Sequence, residues 1–160
     1  MVWNAQLLLV EKVDAARIVD TLKLPPPGGR FVSLPSTGAV AAVGKVRGWG
    51  ALVRGAAAPA PTNEQLAALS KGTRAFAFTL ASAKTVFGYA WWVDGKCVRK
   101  ALFEAGESVE AEGPQLRAER AIPLPDLGPD EDFILTLLER VTGLTGEDLD
   151  DERYEVLGTA

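Results

Sequence analysis

Carboxylates are the most abundant groups in this chain that could move a proton. Glu104, Glu107, Glu110, Glu112 and Glu119 follow one another closely, and two carboxyls at the right separation can serve as general acid and base. No spacing among these five fixes such a separation, so they read as surface carboxylates. The chain contains no histidine, which removes the commonest general base, the serine and cysteine triads built on it, and the usual imidazole metal ligand. Cys97 is the single cysteine. Alone it forms neither an intrachain disulfide nor a structural zinc site, and as a nucleophile it would need a neighbour that lowers its pKa. It reads as a buried, inert thiol beside Trp92.

Two further stretches resemble ligand loops on first inspection. Gly44-Lys45-Val46-Arg47-Gly48-Trp49-Gly50 lacks the Gly-Lys-Ser/Thr ending of a phosphate loop and does not fit the dinucleotide fingerprint. It reads as a glycine-rich bend. The acidic run Glu147-Asp148-Leu149-Asp150-Asp151-Glu152 lacks the alternating oxygens, central glycine and terminal glutamate of a calcium loop. It reads as a solvated helix face. No cofactor or metal is therefore expected.

These residues must be held by a chain of 160 residues, 48% hydrophobic and 24% charged, which fits a single domain over residues 1–160. The amino terminus has no positive region or cleavage site of a signal peptide. No apolar stretch reaches the roughly 18 residues of a membrane helix. Together with the lone cysteine, this predicts a cytoplasmic protein that does not enter a membrane. The net charge of −4 conceals an asymmetry. Residues 1–125 carry 15 basic and 10 acidic side chains, whereas residues 126–160 carry 2 basic and 11 acidic ones. An acidic carboxy-terminal part argues against nucleic acid, whose phosphates require clustered Lys and Arg; it reads first as a solvated, solubilising segment and second as an acidic face for a basic partner.

The apolar run at 2–10 predicts a first strand. Asp14 then caps a helix over about 14–23, which the prolines at 25–27 end. Short strands are expected over 31–34 and across 38–54, with a proline- and alanine-rich loop at 56–61. Thr62 and Gln65 form a capping box for a helix over 62–71, stopped by Gly72. Phe76, Phe78 and Leu80 alternate with small residues, as do Phe87, Tyr89 and Trp91, which marks two strands. Asp94-Gly95 between hydrophobic runs predicts a type I′ hairpin. An uninterrupted register from that turn pairs Trp92 with Cys97, Trp91 with Val98, Ala90 with Arg99 and Phe87 with Leu102. Phe87, Tyr89, Trp91, Val98 and Leu102 then share the core face, and Trp92, Cys97 and Arg99 share the other. An edge strand around 108–111, a helix over 131–142 capped by Asp130, a short acidic helix near 147–152 and a strand at 154–157 complete the set.

The stretch from Gly48-Trp49 through Leu69-Ser70-Lys71-Gly72-Thr73-Arg74 to Asp94-Gly95 resembles a small family of uncharacterised bacterial domains. In that family a Gly-Trp strand precedes a helix ending in Leu-Ser-x-Gly-Thr-Arg and a hairpin with an Asp-Gly turn. The resemblance covers about residues 44–104. It implies architecture and supplies no catalytic residue.

The expected fold is α+β, a mainly antiparallel, hairpin-rich sheet with about three helices mostly on one face. The expected function is a non-enzymatic interaction module of immunity or inhibitor type that meets a basic protein. Trp92, Arg99, Trp49, Asp148 and Asp151 are its candidate contact residues, since tryptophan and arginine are frequent interface anchors. The alternative is a small-molecule-binding domain or histidine-free enzyme, with a pocket bounded by Trp49, Trp92, Tyr89 and a glutamate of 104–112.

Overall fold

A computed structural model describes residues 4–33, 41–55, 58–126 and 128–158. The expected start of the first strand at residues 2–3, Leu34, residues 38–40 and residues 56–57 of the alanine-rich loop lie outside the described residues.

In chain order the elements are β1 (Asn4–Glu11), α1 (Ala15–Leu22), β2 (Pro27–Val32), β3 (Ala42–Val46), β4 (Trp49–Gly55), α2 (Asn63–Ser70), β5 (Arg74–Ala81), β6 (Val86–Val93), β7 (Lys96–Glu104), β8 (Glu107–Glu112), α3 (Arg117–Arg120), α4 (Glu131–Thr142), α5 (Gly146–Asp150) and β9 (Tyr154–Leu157). A single 3-10 turn, Ser82–Lys84, joins β5 to β6. The nine strands among the described residues form one sheet in the order β2-β9-β3-β4-β1-β5-β6-β7-β8, and every neighbouring pair is antiparallel. This is an α+β fold dominated by a hairpin-rich sheet.

The caps are those the residue types dictate. Asp14 accepts from the Arg17 N–H, Asp130 from the Phe133 N–H, and Thr62 with Gln65 closes a reciprocal capping box. Gly143 ends α4 in the left-handed conformation. Asp94 and Gly95 both have positive φ, as a type I′ turn requires. Arg47-Gly48 and Ala105-Gly106 do the same between β3 and β4 and between β7 and β8.

Of the three longer helices, α1 and α2 share one face of the sheet and α4 covers the other. On one face α1 and α2 set Ile18, Val19, Leu22, Leu66 and Leu69 over Leu8, Val10, Leu52, Ala75 and Trp92. On the other, α4 sets Phe133, Ile134, Leu137 and Leu138 over Leu7, Leu9, Phe76, Phe78, Tyr89 and Trp91. The cause lies in the central strands. β1 carries Leu7, Leu8, Leu9 and Val10 in succession, so both strand faces are apolar and both need cover.

Beyond Cys97 the β6–β7 register departs from the uninterrupted one. Trp92 pairs with Cys97 but Trp91 pairs with Arg99, and Val98 is the extra residue of a β-bulge. A shift of one residue turns every later side chain of β7 to the opposite face. Arg99, Ala101 and Phe103 therefore lie on the α4 face with Trp91 and Tyr89, and the expected placement of Arg99 beside Trp92, with Leu102 in the core, is corrected.

Candidate functional site

Three of the five candidate contact residues lie inside the molecule. Trp92 is 5% exposed and packs among Leu66, Leu69 and Cys97 beneath α2. Its indole N–H has no hydrogen-bond acceptor among the described residues. Burial pushes the Cys97 thiol pKa up, with Glu112 adding to the effect, which opposes formation of a reactive thiolate. Trp49 is 4% exposed on the other face, within the α4 cluster. The two tryptophans lie on opposite sides of the sheet, so the pocket expected between them does not form.

Trp49 serves a clamp. The Arg74 guanidinium lies 5.5 Å from the Trp49 ring centre and 5.6 Å from that of Trp91, and it donates to Glu11 with an Nη2–Oε2 distance of 2.5 Å. The end of α2 locks the hairpin turn in the same region. Ser70 Oγ accepts from the Gly95 N–H at 3.1 Å, Asp94 accepts from the Gly72 N–H at 2.8 Å, and the Thr73 hydroxyl donates to the Glu11 carbonyl at 2.7 Å. In this chain Leu69-Ser70-Lys71-Gly72-Thr73-Arg74 and Asp94-Gly95 thus hold the helix to the sheet.

Arg99 belongs to a buried polar centre. Its Nη2 donates to Glu119 Oε2 at 3.1 Å, its Nε is shared between Glu119 Oε1 and the Tyr89 oxygen at 3.2 Å each, and its Nη1 donates to the Gly113 carbonyl at 2.9 Å. Tyr89 donates its phenol hydrogen to Glu119 Oε1 through a short bond. Glu119 also accepts the Leu116 N–H, tying the start of α3 to the sheet. Arg99 and Glu119 are 6% and 4% exposed. Burial works against the charged guanidinium, but its bonds to Glu119 and Tyr89 outweigh that cost and hold its pKa above the ordinary value. Burial and the Glu119 bond push the Tyr89 phenol far above its ordinary pKa, so it stays a hydrogen-bond donor. A cavity of about 430 Å³ opens against this centre, between β7, β8, α3 and the start of α4. Glu119 is one of the five carboxylates expected at the surface; its burial against Arg99 corrects that reading, and nothing local in the sequence pairs the two.

Asp148 and Asp151 lie at the opposite end of the sheet, where α5 leads into β9. Thr145 caps α5 and Asp148 closes its capping box from the third helical position: Asp148 accepts the Thr145 N–H at 2.9 Å, Thr145 Oγ1 accepts the Asp148 N–H at 3.1 Å, and Arg47 lies 3.4 Å from Asp148. These bonds, the Thr145 backbone N–H foremost, lower its pKa. Asp151 is exposed. With Asp150, Glu152 and Arg153 it faces Phe31, Val32 and Ser33 of the β2 end across a concavity of about 340 Å³. The register explains the proximity, since Val32 pairs with Tyr154 and brings the approach to β9 alongside the end of the edge strand. Phe31 is 52% exposed. The period-two pattern that reveals core aromatics gave no signal for it, because β2 is short and glycine-rich. Comparison of the chain with family models, with curated proteins and with solved structures finds no match.

Proposed function

We propose that this chain is a non-enzymatic protein-interaction module of inhibitor or immunity type, acting in the cytoplasm, and that it docks a basic protein on the surface between β2 and the α5–β9 segment. The observation that carries the reading is Phe31, half exposed on an edge strand beside Asp150, Asp151 and Glu152. Three carboxylates against one arginine give the concavity a negative field that attracts Lys and Arg and steers their approach. The aromatic ring supplies an anchor, and covering its remaining exposed half is worth on the order of 1 kcal/mol. In this reading Asp151 keeps its contact role, Asp148 shapes the surface by closing the Thr145 capping box of α5, and Phe31 takes the place of the buried tryptophans.

The test is affinity purification from the organism that carries this sequence, with the retained protein identified by mass spectrometry. A basic partner is expected, released progressively as salt rises because exposed charge pairs are screened. Phe31→Ser and the double variant Asp150→Asn/Asp151→Asn should each weaken retention by roughly tenfold, or about 1.4 kcal/mol, with an unchanged circular dichroism spectrum. Recovery of no protein, or equal retention by wild type and both variants, would overturn the proposal.

A further inference from the structure

The cavity beside Arg99 contains a charged group whose hydrogen-bonding capacity is not exhausted. A guanidinium carries five N–H bonds. In Arg99 the Nε hydrogen is shared by Glu119 and Tyr89, one Nη2 hydrogen goes to Glu119 and one Nη1 hydrogen to the Gly113 carbonyl. One N–H on each terminal nitrogen therefore has no partner among the described residues. Arg99 is 94% removed from solvent by its 6% exposure, and it lines the cavity. Buried donors are normally satisfied, and Arg99 borders an open cavity that could hold their acceptor.

The walls define what would satisfy them. Phe103 and Phe133 meet edge to face with ring centres 6.4 Å apart and form an apolar side. Leu124, 64% exposed, stands at the rim as a large apolar side chain without cover. Glu119 offsets the charge of Arg99, so the exposed Arg120 at the rim leaves the lining with one net positive charge. Ser108 on the β8 side adds a hydroxyl. A carboxylate offers two oxygens on one carbon to two N–H groups of one planar guanidinium, and its single negative charge matches the lining. About 430 Å³ holds a ring or a branched chain besides the carboxylate.

From this geometry we infer that the cavity between β7, β8, α3 and α4 binds a small monocarboxylate with an aromatic or branched apolar body, its carboxylate on Arg99 and Arg120 and its body against Phe103, Phe133 and Leu124. Tyr89 and Glu119 act as positioning residues that fix the guanidinium plane from behind. This site is remote from the Phe31 surface and stands independently of the partner proposed there.

The test is a titration of the nitrogen-15-labelled full chain followed by NMR at the Arg99 Nε–H and at the backbone amides of Phe103, Arg120 and Phe133. The ligands are phenylacetate, its neutral isostere phenylacetamide, and inorganic phosphate. Phenylacetate should give saturable shifts at these positions. Phenylacetamide and phosphate should each bind at least about tenfold more weakly, because one lacks the charge and the other the apolar body. Arg120→Gln and Leu124→Asp alter exposed rim positions and leave the buried centre intact; each should weaken phenylacetate by roughly fivefold to tenfold with an unchanged melting temperature. The inference fails if phenylacetate produces no saturable shift, if the amide or phosphate binds as well as the acid, or if both rim variants bind phenylacetate as wild type does.

Discussion

Removing one member of a buried ion pair leaves the other charged, out of water and without its partner, and that asymmetry governs the Arg99 centre. Glu119→Ala withdraws the acceptor of both the guanidinium and the Tyr89 phenol. It should cost about 3–5 kcal/mol in urea unfolding, a large share of a domain's stability. The triple variant Arg99→Met, Glu119→Leu, Tyr89→Phe removes all three polar partners at once and should recover most of that loss. A Glu119→Ala cost below about 1 kcal/mol would show that the pair contributes no such constraint. The exposed end of the Arg74 clamp makes a different prediction. The hydrogen bond from Arg74, opposed by burial, holds the Glu11 pKa below its ordinary 4.5. Its folded value is thus below its unfolded one, so the contribution to stability is complete above the unfolded pKa and disappears as pH falls through the folded value. Melting temperatures measured between about pH 6 and pH 3 should fall less steeply in Glu11→Gln than in wild type. Parallel curves would remove Glu11 from the account of acid sensitivity.

Among the elements, the β6–β7 hairpin determines which side chains reach the polar centre, and it does so through one extra residue. The bulge at Val98 brings Arg99 to the α4 face, and Gly113 fits against it. A Cβ on Gly113 would come 2.3 Å from the Val98 carbonyl oxygen, at a φ of +78°, and the Gly113 carbonyl itself accepts from Arg99. Gly113→Ala should therefore cost roughly 2 kcal/mol or more, from backbone strain and overpacking together. Gly143→Ala, also at positive φ but with open space around it, should cost only the roughly 1 kcal/mol of the left-handed conformation. Equal costs in denaturant unfolding would mean that contact with the bulge is unimportant. The hairpin itself was legible, because Asp94-Gly95 between alternating apolar residues has few other solutions. The bulge was not, since valine is an ordinary strand residue and nothing in its type marks an extra position. The turn at Arg47-Gly48 falls within the stretch read as a glycine-rich bend, whereas the one at Ala105-Gly106 was hidden, because alanine does not advertise positive φ. Two-sided burial did have a signal. Leu7-Leu8-Leu9-Val10 and Trp91-Trp92 are continuous apolar runs, and adjacent strand residues point to opposite faces, so both faces required helices.

Across the whole molecule, the sheet order ties β2 to β9, distant in sequence, and stability and the proposed partner surface both depend on that tie. β9 enters between β2 and β3, so β2 reaches the rest of the sheet through the last strand. The Gly158 N–H donates to the Pro26 carbonyl at 2.7 Å and the Leu157 N–H to that of Ala41 at 2.8 Å. Tyr154 is fully buried, and its hydroxyl donates to the Leu149 carbonyl at 2.6 Å, which pins α5 to the strand that follows it. A chain ending at Arg153 would lose the strand that joins β2 to β3 and a large aromatic from the core. Loss of the Tyr154 side chain alone should cost about 3–5 kcal/mol. Hydrogen exchange of the truncated chain should show β2 unprotected while β1, β5 and β6, which pair directly with one another, keep measurable protection. Tyr154→Phe removes only the hydroxyl bond and should leave β2 protected, at a cost of about 1 kcal/mol. Because Phe31 faces residues 150–153 through this pairing, the truncated chain should also lose the proposed basic partner, whereas Tyr154→Phe should retain it. Undiminished protection of β2 without β9 would show that contacts other than the strand pairing hold the edge, and would separate the partner surface from the topology invoked to build it.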